Sequence, residues 1–167
     1  QLSVSYAQRM AQERNMAIIT MSLGGTYGPG TWFKESVYAY IKKGRGMIVG
    51  RGENVWSFVH VDDIAEAYRL AVKKLPIGQT FTLADDVPCT YVDFANFVAD
   101  QMKKPRVKHM PVWLANPLLG SVLCEAMTMN QKIKNVKAKT ELGWKLMYPS
   151  YKEGIPATLA EIERSSL

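Results

Sequence analysis

The sequence predicts an α/β fold, and three observations carry that prediction. An amphipathic helical stretch at 3–15 runs directly into a nearly continuous apolar tract, Met16 to Leu23. A second strand-like segment, Thr80-Phe81-Thr82-Leu83, follows a capped helical stretch. Helical and strand patterns then alternate to the end of the chain, as they do where helices cover a largely parallel sheet.

Each element has a local reason. Val4, Ala7, Met10 and Ala11 recur at helical spacing while Arg9, Glu13 and Arg14 take the other side, and Asn15 is the expected stop. The tract Met16 to Leu23 carries two isoleucines and a threonine, which suits a strand buried on both faces. Residues 24–30 are rich in glycine and proline and predict a turn. Phe33, Val37, Tyr40 and Ile41 then mark a helix ending at Gly44. Met47 to Val49 and Val55 to Val61 predict short strands, joined by the turn-forming Gly50-Arg51-Gly52-Glu53-Asn54.

Asp63-Ile64-Ala65-Glu66 makes a capping-box pattern, so a helix is expected over about 64–75, stopped by Pro76 and Gly78. Thr90-Tyr91-Val92-Asp93 opens another, with Phe94, Phe97, Val98 and Met102 as its apolar stripe. Val107 to Met110 is one further strand. Val112 to Met127 predicts a helix broken at Pro117, since proline lacks the donor that a helix interior needs. Asn135 is placed to cap a short helix ending at Leu142, with Gly143 just past its end. Ser150-Tyr151-Lys152-Glu153 is another capping box, and Ile155, Leu159 and Ile162 form the face of the closing helix.

Size and composition bound the rest. With 167 residues, 47% hydrophobic and 22% charged, the chain has enough apolar material for one core. Its longest apolar tract, Met110 to Leu123, is too short to span a bilayer and contains Pro111 and Pro117, and residues 1–20 lack the pattern of a signal peptide. No membrane partner is therefore expected, and a cytoplasmic location is. Cys89 and Cys124 are far apart and without C-x-x-C spacing, which predicts two reduced buried thiols.

The net charge of +6 gathers at Lys103-Lys104-Pro105-Arg106-Val107-Lys108-His109 and at Lys132, Lys134, Lys137 and Lys139. Neither cluster accompanies a nucleic-acid-binding motif, so a solvated face is the favoured explanation. A non-catalytic module that contacts an acidic partner or nucleic acid through these lysines is the alternative.

Several motifs fail on mechanism. Gly44-x-Gly46-x-x-x-Gly50 departs from the dinucleotide fingerprint and leads toward a strand, whereas a pyrophosphate needs a helix N-terminus. Gly25 to Gly30 lacks the Lys-Ser/Thr pair of a phosphate loop. His60 and His109 have no partner at metal-ligand spacing. Asp62-Asp63 fits helix capping better than acid chemistry, and His60 fits a half-buried hydrogen-bonding role better than a general base.

The order of the remaining landmarks is informative. An apolar strand leads to Ser22-Leu23-Gly24-Gly25-Thr26-Tyr27-Gly28-Pro29-Gly30, followed by Phe58-Val59-His60-Val61-Asp62-Asp63-Ile64-Ala65, Phe81-Thr82-Leu83-Ala84, Glu141-Leu142-Gly143-Trp144 and Tyr148-Pro149-Ser150. This set resembles the C-terminal portion of an extended short-chain dehydrogenase/reductase, the NAD-dependent epimerase/dehydratase family. The resemblance implies a partial Rossmann-type, NAD(P)-binding fold: the C-terminal part of a doubly wound sheet plus a small substrate-binding lobe. It assigns 1–30 and about 58–85 to the Rossmann sheet, and about 31–57 and 86–167 to the lobe.

In that family a G-x-x-G-x-x-G turn binds NAD or NADP and a Y-x-x-x-K pair moves the proton. The glycine motif does not occur in these 167 residues, and the two pairs with Y-x-x-x-K spacing, Tyr38/Lys42 and Tyr148/Lys152, lie beyond the helix at 3–15 that resembles the one following the catalytic lysine. The resemblance thus implies a substrate-side half of an NAD(P)-dependent enzyme acting on a hydroxyl or carbonyl substrate, with the N-terminal Rossmann half as its missing partner. By itself the chain is expected to bind no cofactor and to offer no catalytic residue and no metal site. Leu23, Gly24, Gly25, Thr26 and Tyr27 are the implied cofactor contacts, and Trp32, Arg51 and Trp56 the implied substrate contacts. An exposed strand edge at 16–23 favours self-association as a homo-oligomer.

Two departures bear on the substrate. Ser22-Leu23 stand where the family usually has Arg-Pro, and Trp56 stands where nucleotide-sugar enzymes commonly place an arginine on a diphosphate. An indole cannot make the forked contact of a guanidinium. A reductase or dehydrogenase of a less anionic, steroid-like or flavonoid-like substrate is therefore favoured, with Arg51 keeping a nucleotide-sugar epimerase open.

Overall fold

The computed structural model describes residues 2–165. Gln1, Ser166 and Leu167 lie outside the described residues, as does the side chain of Val4 from the first helical stripe.

Helix α1 (Leu2–Glu13) ends before Asn15, whose φ of 49° turns the chain into β1 (Thr20–Leu23). The strand is shorter than the apolar tract predicted, and it is not buried on both faces: β1 is half-buried and Met16 is exposed. Among the described residues β1 pairs with β6 (Thr80–Leu83) alone, parallel and in the register Thr20 with Thr80 through Leu23 with Leu83. Its side chains reach only the apolar cluster that Phe81 and Leu83 share with Val59, Ala67, Ala71 and Trp144.

The predicted turn at 24–30 is a strand in its first half. β2 (Gly25–Tyr27) runs parallel to β5 (Phe58–His60), and the turn proper starts at Gly28, whose φ is 132°. Glycine at position 24 serves close approach, because a Cβ there would overlap the Ser57 carbonyl. A π-helical turn (Lys34–Tyr38) continues into α2 (Ala39–Lys42), and β3 (Met47–Val49) pairs in parallel with β8 (Lys108–Met110). The stretch 55–61 divides at Ser57. Its first part, β4 (Val55–Trp56), turns away to pair antiparallel with β7 (Cys89–Thr90).

Helix α3 (Val61–Lys74) starts three residues before the predicted position, and its cap is His60 in place of Asp63. The His60 imidazole accepts the Asp62 N–H, which frees Asp63 to point inward. Thr90 caps α4 (Tyr91–Gln101), and Ser150 with Glu153 closes the capping box on α7 (Tyr151–Arg164), both as the sequence predicted. The helix predicted over 112–127 breaks at Gly120 (φ 84°, ψ 151°) and not at Pro117, giving α5 (Val112–Leu119) and α6 (Ser121–Thr128). In so short a helix the proline costs a single ladder bond, whereas the backbone at Gly120 leaves helical space altogether. Near 135 the helical turn is of π type (Ala138–Leu142), stopped by Gly143 in the left-handed conformation. The Asn135 side chain does not cap it. It donates to the Ala84 carbonyl (2.8 Å) and the Asp86 carboxylate (2.8 Å) and so ties this segment to the end of β6.

The main core is aromatic. Tyr27, Phe33, Phe58, Phe94 and Tyr151 join β2 and β5 to α4 and α7, with Phe58 and Phe94 stacked at 3.9 Å. Edge-on contacts of Tyr27 with Phe33, Phe58 and Phe94 fix the relative angles of these elements.

Candidate functional site

The start of β2, the end of β4 and the helical turn after β2 converge on a cavity of about 770 Å³. Gly24, Gly25 and Thr26 form one wall, and Trp32 and Trp56 stand beside them. Met47, Val49, Leu119 and Leu123 supply much of the rest, and no charged side chain lines it. Trp56 is held there by its indole N–H, which donates to the Met129 carbonyl (3.0 Å), and by Phe58 and Tyr91 packed against its ring. A Cβ on Gly25 would press into the Trp56 and Phe58 rings, so the glycine sets how near β2 lies to them.

The polar groups of the lining divide by whether they already have a partner. The Ser36 hydroxyl donates to the Trp32 carbonyl, and the Thr26 hydroxyl reaches the Gly24 carbonyl at 3.4 Å. The Tyr91 hydroxyl and the Gln131 carboxamide have no hydrogen-bond partner among the described residues and remain for a ligand. Burial pushes the Tyr91 hydroxyl up to about 12, so it stays protonated and donates. The lining can therefore exclude water, pack flat apolar surface and offer a hydrogen bond to an oxygen. It holds no lysine, histidine or carboxylate to move a proton.

The residues that the sequence singled out are only partly gathered. Gly24, Gly25, Thr26, Trp32 and Trp56 meet at the cavity. Tyr27 is fully buried in the aromatic core, where its hydroxyl lies 3.5 Å from the Ser150 carbonyl and burial raises it well above the ordinary tyrosine range. Leu23 packs against the cluster around Phe81. Arg51 lies outside the cavity with its side chain 84% exposed and ion-paired to Glu53 at 2.7 Å. Sequence reasoning missed Tyr91 and Gln131 as cavity residues. Tyr91 sits on the buried stripe of α4, and nothing in the local pattern around Gln131 marks it as a cavity residue.

His60 is more deeply buried than expected and both its nitrogens are engaged. Nδ1 accepts the Asp62 N–H (3.2 Å), so in the neutral ring Nε2–H donates to the Thr158 hydroxyl (3.0 Å), which donates onward to the Gly154 carbonyl (2.9 Å). Burial lowers its pKa against the pull of Asp62, which keeps it neutral. The lysine series does not act as one free face. Lys139 pairs with Asp86 at 2.5 Å, and Lys137 donates to Gln79 and lies over the Phe81 ring. Cys89 and Cys124 are buried free thiols. Among the described residues no group of three or more His, Cys, Asp or Glu could hold a metal ion.

Residues 1–84 match the NAD dependent epimerase/dehydratase family. The chain belongs to this family. A curated relative, a 3-diazoavenalumate denitrifying reductase from Streptomyces sp., is 28% identical over 155 residues, covering 92% of this chain and 51% of the relative. The chain thus spans about half the length of the curated relative it matches. Among solved structures it resembles dTDP-glucose 4,6-dehydratase from Bacillus anthracis in complex with NAD, with a TM-score of 0.77, 17% identity, and coverage of 96% of this chain and 49% of that one. A human epimerase family protein with NADPH gives a TM-score of 0.77 at 14% identity, covering 85% of this chain and 48% of that one. At such identities the likeness establishes the fold: an α/β architecture of the Rossmann type with parallel strand pairs.

Among the described residues Gly24 to Thr26 line the cavity, and the Gly44–Gly50 segment contains β3 and opens no helix that could bind a pyrophosphate.

Proposed function

We propose that this chain is the substrate-side half of an NAD(P)-dependent reductase or dehydrogenase, and that it receives an uncharged, largely aromatic hydroxyl or carbonyl substrate in the cavity beside Gly24, Gly25 and Thr26. In this reading 1–30 and about 58–85 belong to the Rossmann sheet, and about 31–57 and 86–167 to the substrate lobe. Chemistry needs a dinucleotide-binding segment that these residues do not supply, and Tyr38, whose hydroxyl accepts from Lys42 at 3.2 Å, is buried in the core away from the cavity lining, so in this reading the chain alone turns nothing over.

The single observation that carries the proposal is an apolar cavity, flanked by two tryptophans and free of charged side chains, against the tract that the family motif singles out. A nucleotide sugar brings a diphosphate whose charge such a lining cannot meet. Arg51, the one cation the sequence offered for it, is turned to solvent and paired with Glu53. The Tyr91 hydroxyl and the Gln131 amide are placed to orient a carbonyl oxygen.

Isothermal calorimetry on the chain tests both parts. The expected result is no measurable binding of NAD or NADPH, together with binding of uncharged aromatic ketones. Micromolar binding of a dinucleotide, or of a nucleoside diphosphate sugar in preference to the ketones, would overturn it.

A further inference from the structure

We propose that the α5–α6 hairpin, with the cationic run that leads into it, is a docking surface for an anionic lipid bilayer. Between Lys108 and Glu125 the sequence contains no Asp, Glu, Lys or Arg. Over this stretch only Ala115 and Cys124 are buried, inserted beside Val49 with Met110 and Met127 around them. The bulky side chains stand outside: Trp113 is 75% exposed, Leu118 67% and Val122 81%. Contiguous apolar exposure of this kind marks an interaction surface. The footing on β3 and β8 shares no residue with the cluster built on β6, so the hairpin is an outlying feature of the lobe.

Charge identifies the occupant. Lys103, Lys104, Arg106 and Lys108 are all exposed immediately upstream, and of these only Arg106 has an ion pair among the described residues, with Asp100. The Lys108 N–H bonds to the Gly46 carbonyl, which brings Lys42, Lys43 and Arg45 to the same end of the β3–β8 pair. Apolar side chains that include a tryptophan, separated by the three-residue β8 from lysines without carboxylate partners, match the boundary between acyl chains and anionic headgroups. A symmetric dimer through this face would bring two copies of the cationic run together, where like charges repel. Docking of this kind needs no spanning segment, and no described helix is long and apolar enough to cross a membrane. The same hairpin walls the cavity through Leu119 and Leu123, which gives an apolar substrate a route from lipid to site.

Flotation of the full chain with vesicles tests the proposal, using phosphatidylcholine alone and phosphatidylcholine mixed with phosphatidylglycerol. The protein is expected to float with the anionic vesicles at low salt. Its tryptophan fluorescence should be quenched by brominated acyl chains, and Trp113→Phe should remove most of that quenching. The combined Trp113→Ser, Leu118→Ser and Val122→Ser variant, and separately Lys103→Glu with Lys104→Glu, should each lower binding by at least about tenfold. All five positions are exposed, and a thermal melt confirms that each variant folds. Wild-type protein that stays with neither vesicle overturns the proposal, as does binding that the variants leave unchanged. Self-association abolished by the triple substitution, without vesicle binding, assigns the face to a second copy and equally overturns it.

Discussion

The Tyr27 hydroxyl lies so close to Gly154 that a Cβ on that glycine would overlap it. This contact seats α7 on β2 and lets Tyr27 meet His60 edge-on at 5.2 Å, so the strand that starts beside the cavity is positioned by the closing helix. Gly154→Ala is expected to destabilise the chain by about 1–3 kcal/mol through overpacking, although alanine is the better helix former. Tyr27→Phe should relieve only the hydroxyl part of that loss, because the ring carbons would also lie within 3 Å of the added Cβ. Urea unfolding of the two single variants and the double variant measures the coupling.

Asp63 predicts a second effect. Its carboxylate accepts the N–H groups of Met147 (2.5 Å) and Tyr148 (3.2 Å), and its own carbonyl accepts the Trp144 indole N–H (2.8 Å). Burial raises its pKa, while those two N–H groups lower it. Asp63→Asn leaves an amide N–H facing a backbone N–H, and should cost about 1–3 kcal/mol in urea unfolding. Asp62→Asn, at the neighbouring half-exposed position, should change stability far less.

Much of the fold was legible in the sequence because its signals are local. The caps at Thr90 and Ser150, the stop at Gly143, and strands β3 and β6 all follow from side-chain chemistry within a few residues. Asp63 shows where that fails. A carboxylate followed three residues later by Glu66 is a sound capping pattern, but the Met147 and Tyr148 N–H groups come from far along the chain, and only tertiary contact reveals them. The cavity was legible to the same degree. Motif and position single out Gly24, Gly25, Thr26, Trp32 and Trp56, which line the cavity, while Arg51 lies outside it, and a turn residue carries no signal of which way it faces.

Asp85 gives a pH dependence. Buried with both carboxylate oxygens outside hydrogen-bond geometry, it is pushed up to about 8 by burial; the Val87 and Tyr151 N–H groups draw it down, and Asp86 and Glu153 raise it further. Between its unfolded value of 3.8 and about 8 the folded chain holds a proton that the unfolded chain has released. Stability from this group therefore falls as pH rises through that window. Asp85→Asn should gain on the wild type steadily from about pH 6 to pH 8, by at least about 1 kcal/mol at the upper end. Comparing variant with wild type at each pH cancels the opposite contribution of His60, whose lowered pKa costs stability as pH falls. A constant difference across the window would exclude a titrating Asp85.

Gln131 tests the polar side of the cavity. If its carboxamide orients a substrate oxygen, Gln131→Leu should weaken binding of an aromatic ketone by about fivefold, the worth of one neutral hydrogen bond. Binding of the matching hydrocarbon, titrated in parallel, should not weaken.

The most direct measurement is the dissociation constant of an uncharged diaryl ketone for the wild-type chain and for Met47→Arg. Met47 lines the cavity while half-exposed, so the arginine introduces a charge there without disturbing the core. An apolar substrate site predicts binding to the wild type and at least about tenfold weaker binding to the variant. Equal affinity for the two proteins, or no binding to the wild type, would contradict it.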